Sequence, residues 1–456
     1  MQTDRHDDGR PPVNARASAV AVVFVANGLG GPSFLPRLPG RQADLGLSDA
    51  GLGLVLVGMA LGALVASPLA GRAVGRVGSR PVVVAAALAL AASLWTAGAA
   101  PEPALLFLAL AVIGAADATM DIAMNANGAA YERRSGASVM HRLHGAWSLG
   151  ALAAAGLAAA AAGLGVSLTW QLAAMGAVIA VGVVASRTGL VHDDAAALVA
   201  ANHRPAGERP AAHARGQADG SQTVDVDPID SGRPSTRAPA VADLGRAATE
   251  HDGIGAAPAR RWRVGPLVVL AAATVGGAIV EGAPADWSAI RLERLGVGSG
   301  AAALGFAAFM AGMLVGRLVG DHLTDRFGGA AVLRGGMALV AGGLLVGAVV
   351  DHPAVFAVGL VLVGVGASGL FPLAFSAAAN TPGVAPGAGA ATVSLAARIG
   401  FLVEPLVMGA LAELLGLRWA FVVVAGVALT VAAAAGRIIP PTSHLVDGPV
   451  TDIRAV

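Results

Sequence analysis

Asp117, Asp121 and Asn125 recur at intervals of four inside an otherwise apolar stretch, 104–127. Each step of four drifts only about 40° around a helix, so the three share one polar stripe. Two acids one turn apart resist double ionisation, which suits a group that takes up and releases a proton. Asp121 is the candidate proton carrier, Asp117 the residue that tunes it, and Asn125 a neighbour able to hydrogen-bond a solute. A fixed salt bridge or a buried hydrogen-bond network with no transport role is the structural alternative. A charge at mid-bilayer costs about 2.5–3.5 kcal/mol, so each such residue asks for a cavity, a partner or a proton.

The same argument singles out residues elsewhere. Glu281, within 264–287, is a third proton-coupling candidate, whereas Asp286 and Trp287 one turn later read as an interfacial pair, the indole anchored at headgroup depth. His144 and Trp147, within 143–164, could respectively shuttle a proton and stack on a sugar ring. Arg398, within 388–414, needs a bound anion or a carboxylate, with Asp117, Asp121, Glu281 and Glu404 as candidates; Glu404, about 120° away on the same helix, is a poor one. Asn27 sits among Gly28, Gly30, Gly31 and Pro32, where a loosened helix could offer backbone carbonyls to a cavity. Asn27, Asn125, His144, Trp147, Arg398 and Glu404 form the candidate substrate site.

The elements that must position these groups are membrane spans. The 456 residues are 55% apolar and 13% charged, with mean hydropathy +0.70, against roughly 25% charge in a soluble domain. About twelve apolar segments of some 20 residues recur from 16–36 to 417–437, each long enough to cross ~30 Å of hydrocarbon. The expected fold class is an all-α membrane protein with two six-helix bundles. The expected domains are an N-terminal tail (1–15), a first bundle (16–187), a linker (188–262), a second bundle (263–438) and a C-terminal tail (439–456). The linker is rich in Pro, Gly, Asp and Arg and reads as disordered.

There is no lysine, so all 30 basic residues are arginine. With 24 of them assigned to the N-terminal tail, the even-to-odd loops and the C-terminal tail, and five to the other side, both termini are expected in the cytoplasm.

The halves echo each other. Gly71-Arg72-Ala73-Val74-Gly75-Arg76-Val77-Gly78-Ser79-Arg80 follows the second span, and Asp321-His322-Leu323-Thr324-Asp325-Arg326-Phe327-Gly328 follows the eighth. These segments resemble the loop signature of the major facilitator superfamily, Gly-x-Leu-x-Asp-Arg-x-Gly-Arg-Arg/Lys. The resemblance implies gating roles for Gly71, Arg76, Gly78 and Arg80 and, in the second copy, for Asp321, Asp325, Arg326 and Gly328. Gly75 stands where the family has aspartate, which implies a gate asymmetric between the halves. Asp121-Ile-Ala-Met-Asn125, His144-Gly-Ala-Trp-Ser-Leu-Gly150 and Glu281-Gly-Ala-x-x-Asp286-Trp287-Ser288 resemble a bacterial inner-membrane branch near the fucose–proton symporters. That likeness implies Asp121 as counterpart of the family's proton-carrying glutamate, with Asn125 at the matching spacing.

The zero cysteine count excludes disulfides and thiolate chemistry. No metal-ligand spacing, ATP-binding loop or catalytic constellation is present, so no cofactor, no enzymatic activity and no nucleic-acid partner is expected. The expected function is secondary active transport of a small sugar-like or other polar solute by alternating access. The chain would be a monomer in the bacterial plasma membrane, driven by a proton gradient. Drug or metabolite efflux, and a transporter-like sensor, are the alternatives.

Overall fold

Gly78 and Gly328 take φ of +82° and +80°, a region that favours glycine, and each is the single residue between two long helices. The computed structural model describes residues 13–135, 139–192, 264–379, 381, 384 and 388–439. They form α1 (Val13–Leu29), two short 3-10 turns (Gly31–Ser33 and Leu35–Arg37), α2 (Leu38–Asp44), α3 (Asp49–Val77), α4 (Ser79–Ala99), α5 (Pro103–Ser135), α6 (Met140–Gly163) and α7 (Leu168–Ser186). The second half comprises α8 (Val264–Arg294), α9 (Ser299–Phe327), α10 (Gly329–Val349), α11 (Pro353–Ala367), α12 (Leu370–Ala379), α13 (Ala388–Leu415) and α14 (Leu417–Ile438). Among the described residues eleven helical stretches are long and apolar enough to span a bilayer, α11 and α12 counting as one, and the bent pair around Gly30 makes a twelfth.

Helices of 29 and 33 residues are roughly 43 and 50 Å long, well beyond the ~30 Å apolar slab. This length corrects the reading of the repeated motif as a loop. Gly71 and Arg76 lie on the last turns of α3, while Asp321, Asp325 and Arg326 lie on those of α9. Only Gly78 and Gly328 turn the chain, and Arg80 already belongs to α4.

Small residues hold each half together, as expected where lipid offers no hydrophobic drive between helices. A Cβ on Gly62 would lie 1.8 Å from the Ala111 carbonyl oxygen, and one on Gly114 1.8 Å from that of Met59, so α3 and α5 touch backbone to backbone. In the second half Gly312 and Gly364 do the same between α9 and α11, against the carbonyls of Val361 and Phe309. Gly62 precedes Gly78 by the same interval as Gly312 precedes Gly328, so the internal repeat extends to the packing seams.

The loosening expected near Asn27 occurs, as a 43° bend between Arg16–Leu29 and Gly31–Asp44. Its carbonyls are not offered to a cavity. The Ser33 hydroxyl donates to those of Leu29 and Gly30, and Gly30 N–H to that of Asn27. Gly28 is tight against Trp147, with only 2.2 Å between an added Cβ and the carbonyl oxygen.

The first half also stays packed past Thr188. Leu190 and Val191 are buried, and the Asn127 side chain exchanges hydrogen bonds with the Val191 backbone at 2.9 and 3.2 Å. The rest of the expected linker, and most of both tails, lie outside the described residues.

Candidate functional site

Asp121, Arg317 and Arg398 lie 17 or 18 residues from the ends of α5, α9 and α13 on the side away from the chain termini. At 1.5 Å per residue that is about 26 Å in each case, so three charges from three helices come to one depth. Asp121 belongs to the first half and the two arginines to the second. Arg398 acts electrostatically on Asp121, one of the four acids considered for it. It also donates to the Ala63 carbonyl of α3 at 3.4 Å. Asn125 donates to the Asp121 carboxylate at 3.0 Å, so the two expected neighbours on the stripe do meet.

Asp117, one turn away, is held by Asn27. The amide Nδ2 donates to Asp117 Oδ1 at 3.0 Å, while Asn27 Oδ1 accepts from Trp147 Nε1 at 2.8 Å. One buried amide thereby ties α1, α5 and α6 together, both of its ends in use. Asn27→Ala would strand the Asp117 carboxyl and the indole N–H at once. The expected cost is about 1–3 kcal/mol, read as a lower melting temperature in detergent, whereas a merely exposed asparagine would change it negligibly.

Arg317 stands within α9, its guanidinium 5.8 Å from the centre of the Trp147 ring and donating to Ser148 Oγ at 3.2 Å. It acts electrostatically on Glu281 of α8. Arg317 and Arg398 thus both stand inside membrane-spanning helices; α9 continues ten residues beyond Arg317 to Phe327. His144 is exposed, with its ring edge-to-face on Phe24 at 5.5 Å.

Two expectations fail here. Glu404 does not line the space between the halves: it is 1% exposed, its carboxyl lying over Gly282 of α8. Trp287 is no headgroup anchor, being 0% exposed within the second half. A Trp with its whole ring on the core side of α8 buries too much apolar surface to remain at an interface.

The halves meet on the side away from the termini. Arg294 of α8 forms an ion pair with Asp49 of α3, with one contact at 3.0 Å, and the Ala50 N–H donates to Glu413 at 3.3 Å. A Cβ on Gly53 would fall 2.2 Å from the Pro405 carbonyl oxygen, and one on Gly300 2.8 Å from Gly163 Cα. Towards the termini, the motif residues Arg76, Asp321, Asp325 and Arg326 are exposed, and neither acid forms an ion pair among the described residues. The arrangement is a two-half bundle closed at one end, with a charged midsection that both halves supply.

Residues 17–218 and 267–454 match the family model described as the Major Facilitator Superfamily. The chain belongs to the Major Facilitator Superfamily. A superfamily MFS-type transporter of Yersinia pestis is 30% identical over 95% of this chain and 99% of its own length. The membrane protein MosC of Rhizobium meliloti is 28% identical, covering 91% of this chain and 88% of its own. The crystal structure of the nucleoside transporter NupG superposes with a TM-score of 0.66 at 13% identity, over 93% of this chain and 99% of that one, a likeness of fold. As a superfamily member the protein is a multi-pass membrane transporter of a small molecule and not an enzyme.

Proposed function

We propose that the protein is a proton-coupled secondary transporter of a small polar solute, with Asp121 as proton carrier and the solute bound between Asp121 and the two arginines. The observation that carries this reading is the matched depth of Asp121 in one half and Arg317 and Arg398 in the other. A carboxylate that gains a proton loses its attraction for Arg398, so protonation alters what the halves hold together across the midplane. Alternating access then consists of opening the end closed by Arg294–Asp49 while the other end shuts. The stacked Arg317–Trp147 pair supplies donors and an aromatic face for a solute with hydroxyl or anionic groups.

With Arg317 and Arg398 both placed inside spans, thirteen arginines outside the segment from Arg187 to Arg263 fall on the side of the termini, against five on the other. This favours cytoplasmic termini, a plasma-membrane location and a cytoplasm-open state. A monomer suffices, since both halves of the site come from one chain.

A thermal-shift panel of sugars, polyols, amino acids and drugs on the purified protein, followed by uptake into proteoliposomes under an imposed pH gradient, tests the reading. Arg317→Gln should weaken the stabilising solute at least about tenfold, equivalent to ~1.4 kcal/mol, with its unliganded melting temperature nearly unchanged. Binding equal to that of the unsubstituted protein would remove Arg317 from the site.

A further inference from the structure

The Glu404 carboxyl lies against Gly282, where an added Cβ would stand 3.0 Å from Glu404 Cγ and 3.1 Å from Oε2. Asp286 is one helical turn beyond Gly282, on the same face of α8. The Glu404 carboxyl is thereby brought to the face of α8 that carries Asp286, and the negative charge of Asp286 acts on it. They lie about 12 and 16 Å from the closed-side ends of their helices, nearer that end than Asp121 is.

Glu404 Oε1 is buried with no hydrogen-bond partner among the described residues, and so is Nε1 of the adjacent Trp287. The cations on the surrounding elements are engaged elsewhere. On α8 itself, Arg291 pairs with Asp351 and Arg294 with Asp49. On α14, Arg418 pairs with Asp351, and Arg437 is at the other end of that helix. Arg398, on the same helix as Glu404, acts on Asp121; Arg317 of α9 acts on Glu281; and Arg41 of α2 lies by Asp44. Arg37 bonds Gln171 and the Val166 carbonyl, and Arg72 and Arg76 of α3 and Arg326 of α9 are on the last turns of their helices, at the opposite end. The remaining acids nearby are Glu281 and Glu293 of α8, Glu413 of α13 and Asp49 of α3, none of which can neutralise a carboxylate.

We propose that Asp286 and Glu404 share one proton, forming a second proton site in the second half, separate from the Asp117–Asp121 stripe. Two neighbouring carboxylates in an apolar interior, with no cation paired to them among the described residues, cannot both stay ionised. A single proton converts their repulsion into a short charge-assisted O–H···O hydrogen bond, leaving the indole N–H to face the remaining negative charge. The site lies directly behind the closed interface, since Pro405, next in sequence to Glu404, is the residue whose carbonyl meets Gly53. Loss of that proton places two like charges between α8 and α13 and drives these helices apart at the closed end. The site thus links proton release to opening of that end.

Infrared pH-difference spectra of the full-length protein in liposomes test this. The unsubstituted protein should show a protonated-carboxyl band that disappears on alkalinisation. Glu404→Gln and Asp286→Asn should each remove the same band and lower proton release by one per protein, with no further loss in the double variant. Asp121→Asn should retain the band, which separates this site from the proposed coupling site. Glu404→Asp, which keeps the acid should the amides fail to fold, should shift the band and preserve it. A band that survives either amide substitution, two independent losses in the double variant, or bleaching by sodium at constant pH would each overturn the shared proton, the last in favour of a metal-cation site.

Discussion

Asp121→Asn should reduce pH-driven solute accumulation in proteoliposomes to equilibration, an inside-to-outside ratio of one. With one proton moved per solute, each unit of imposed pH difference supplies about 1.4 kcal/mol and sustains up to about tenfold accumulation. Asparagine preserves the shape of the side chain and its reach to the Asn125 amide, but it cannot ionise or attract Arg398. Exchange of internal for external solute, which needs no net proton movement, should survive. Undiminished gradient-driven accumulation in this variant would dismiss Asp121 as carrier, and loss of exchange together with accumulation would point to a binding role instead.

Gly53→Leu should unlock the closed end of the transporter while leaving each half folded. Gly53 sits on the seam between halves, where even a Cβ would meet the Pro405 carbonyl oxygen at 2.2 Å and Gly409 Cα at 3.2 Å. These are rigid backbone atoms, so the side chain can be accommodated only by separating α3 from α13. The protein has no cysteine, so an A50C/E413C pair reports the seam without background. Those positions adjoin through the Ala50 N–H and Glu413 contact at 3.3 Å. A short bifunctional thiol reagent should cross-link the pair readily, and adding Gly53→Leu should slow the reaction at least tenfold. Gly62→Leu is the contrasting case, because its obstacle, the Ala111 carbonyl at 1.8 Å, lies inside the first half. It should impair folding and yield, as overpacking of a tight seam does. Equal cross-linking rates with and without Gly53→Leu would show that the seam is not the gate.

The amino-acid sequence by itself determined the membrane bundle, the twofold repeat and the polar stripe. A bilayer requires apolar runs of nearly fixed length, so spans are legible one segment at a time. The spacing of Asp117, Asp121 and Asn125 fixes their common face through helix geometry alone. The tertiary structure decided what those groups meet. Asn27 holds Asp117 because α1 bends after it; Arg398 acts on Asp121 from α13, which packs on α3 where the guanidinium also reaches the Ala63 carbonyl. Arg317 meets the first half because α9 packs on α6, which sets its guanidinium over Trp147 and beside Ser148. Glu404 left it because Gly282 opens a recess on α8. Each outcome depends on which helix faces which across long stretches of chain, and a low-dielectric interior makes those pairings decisive for a charge. Local pattern locates a charge in the membrane; only packing chooses its partner.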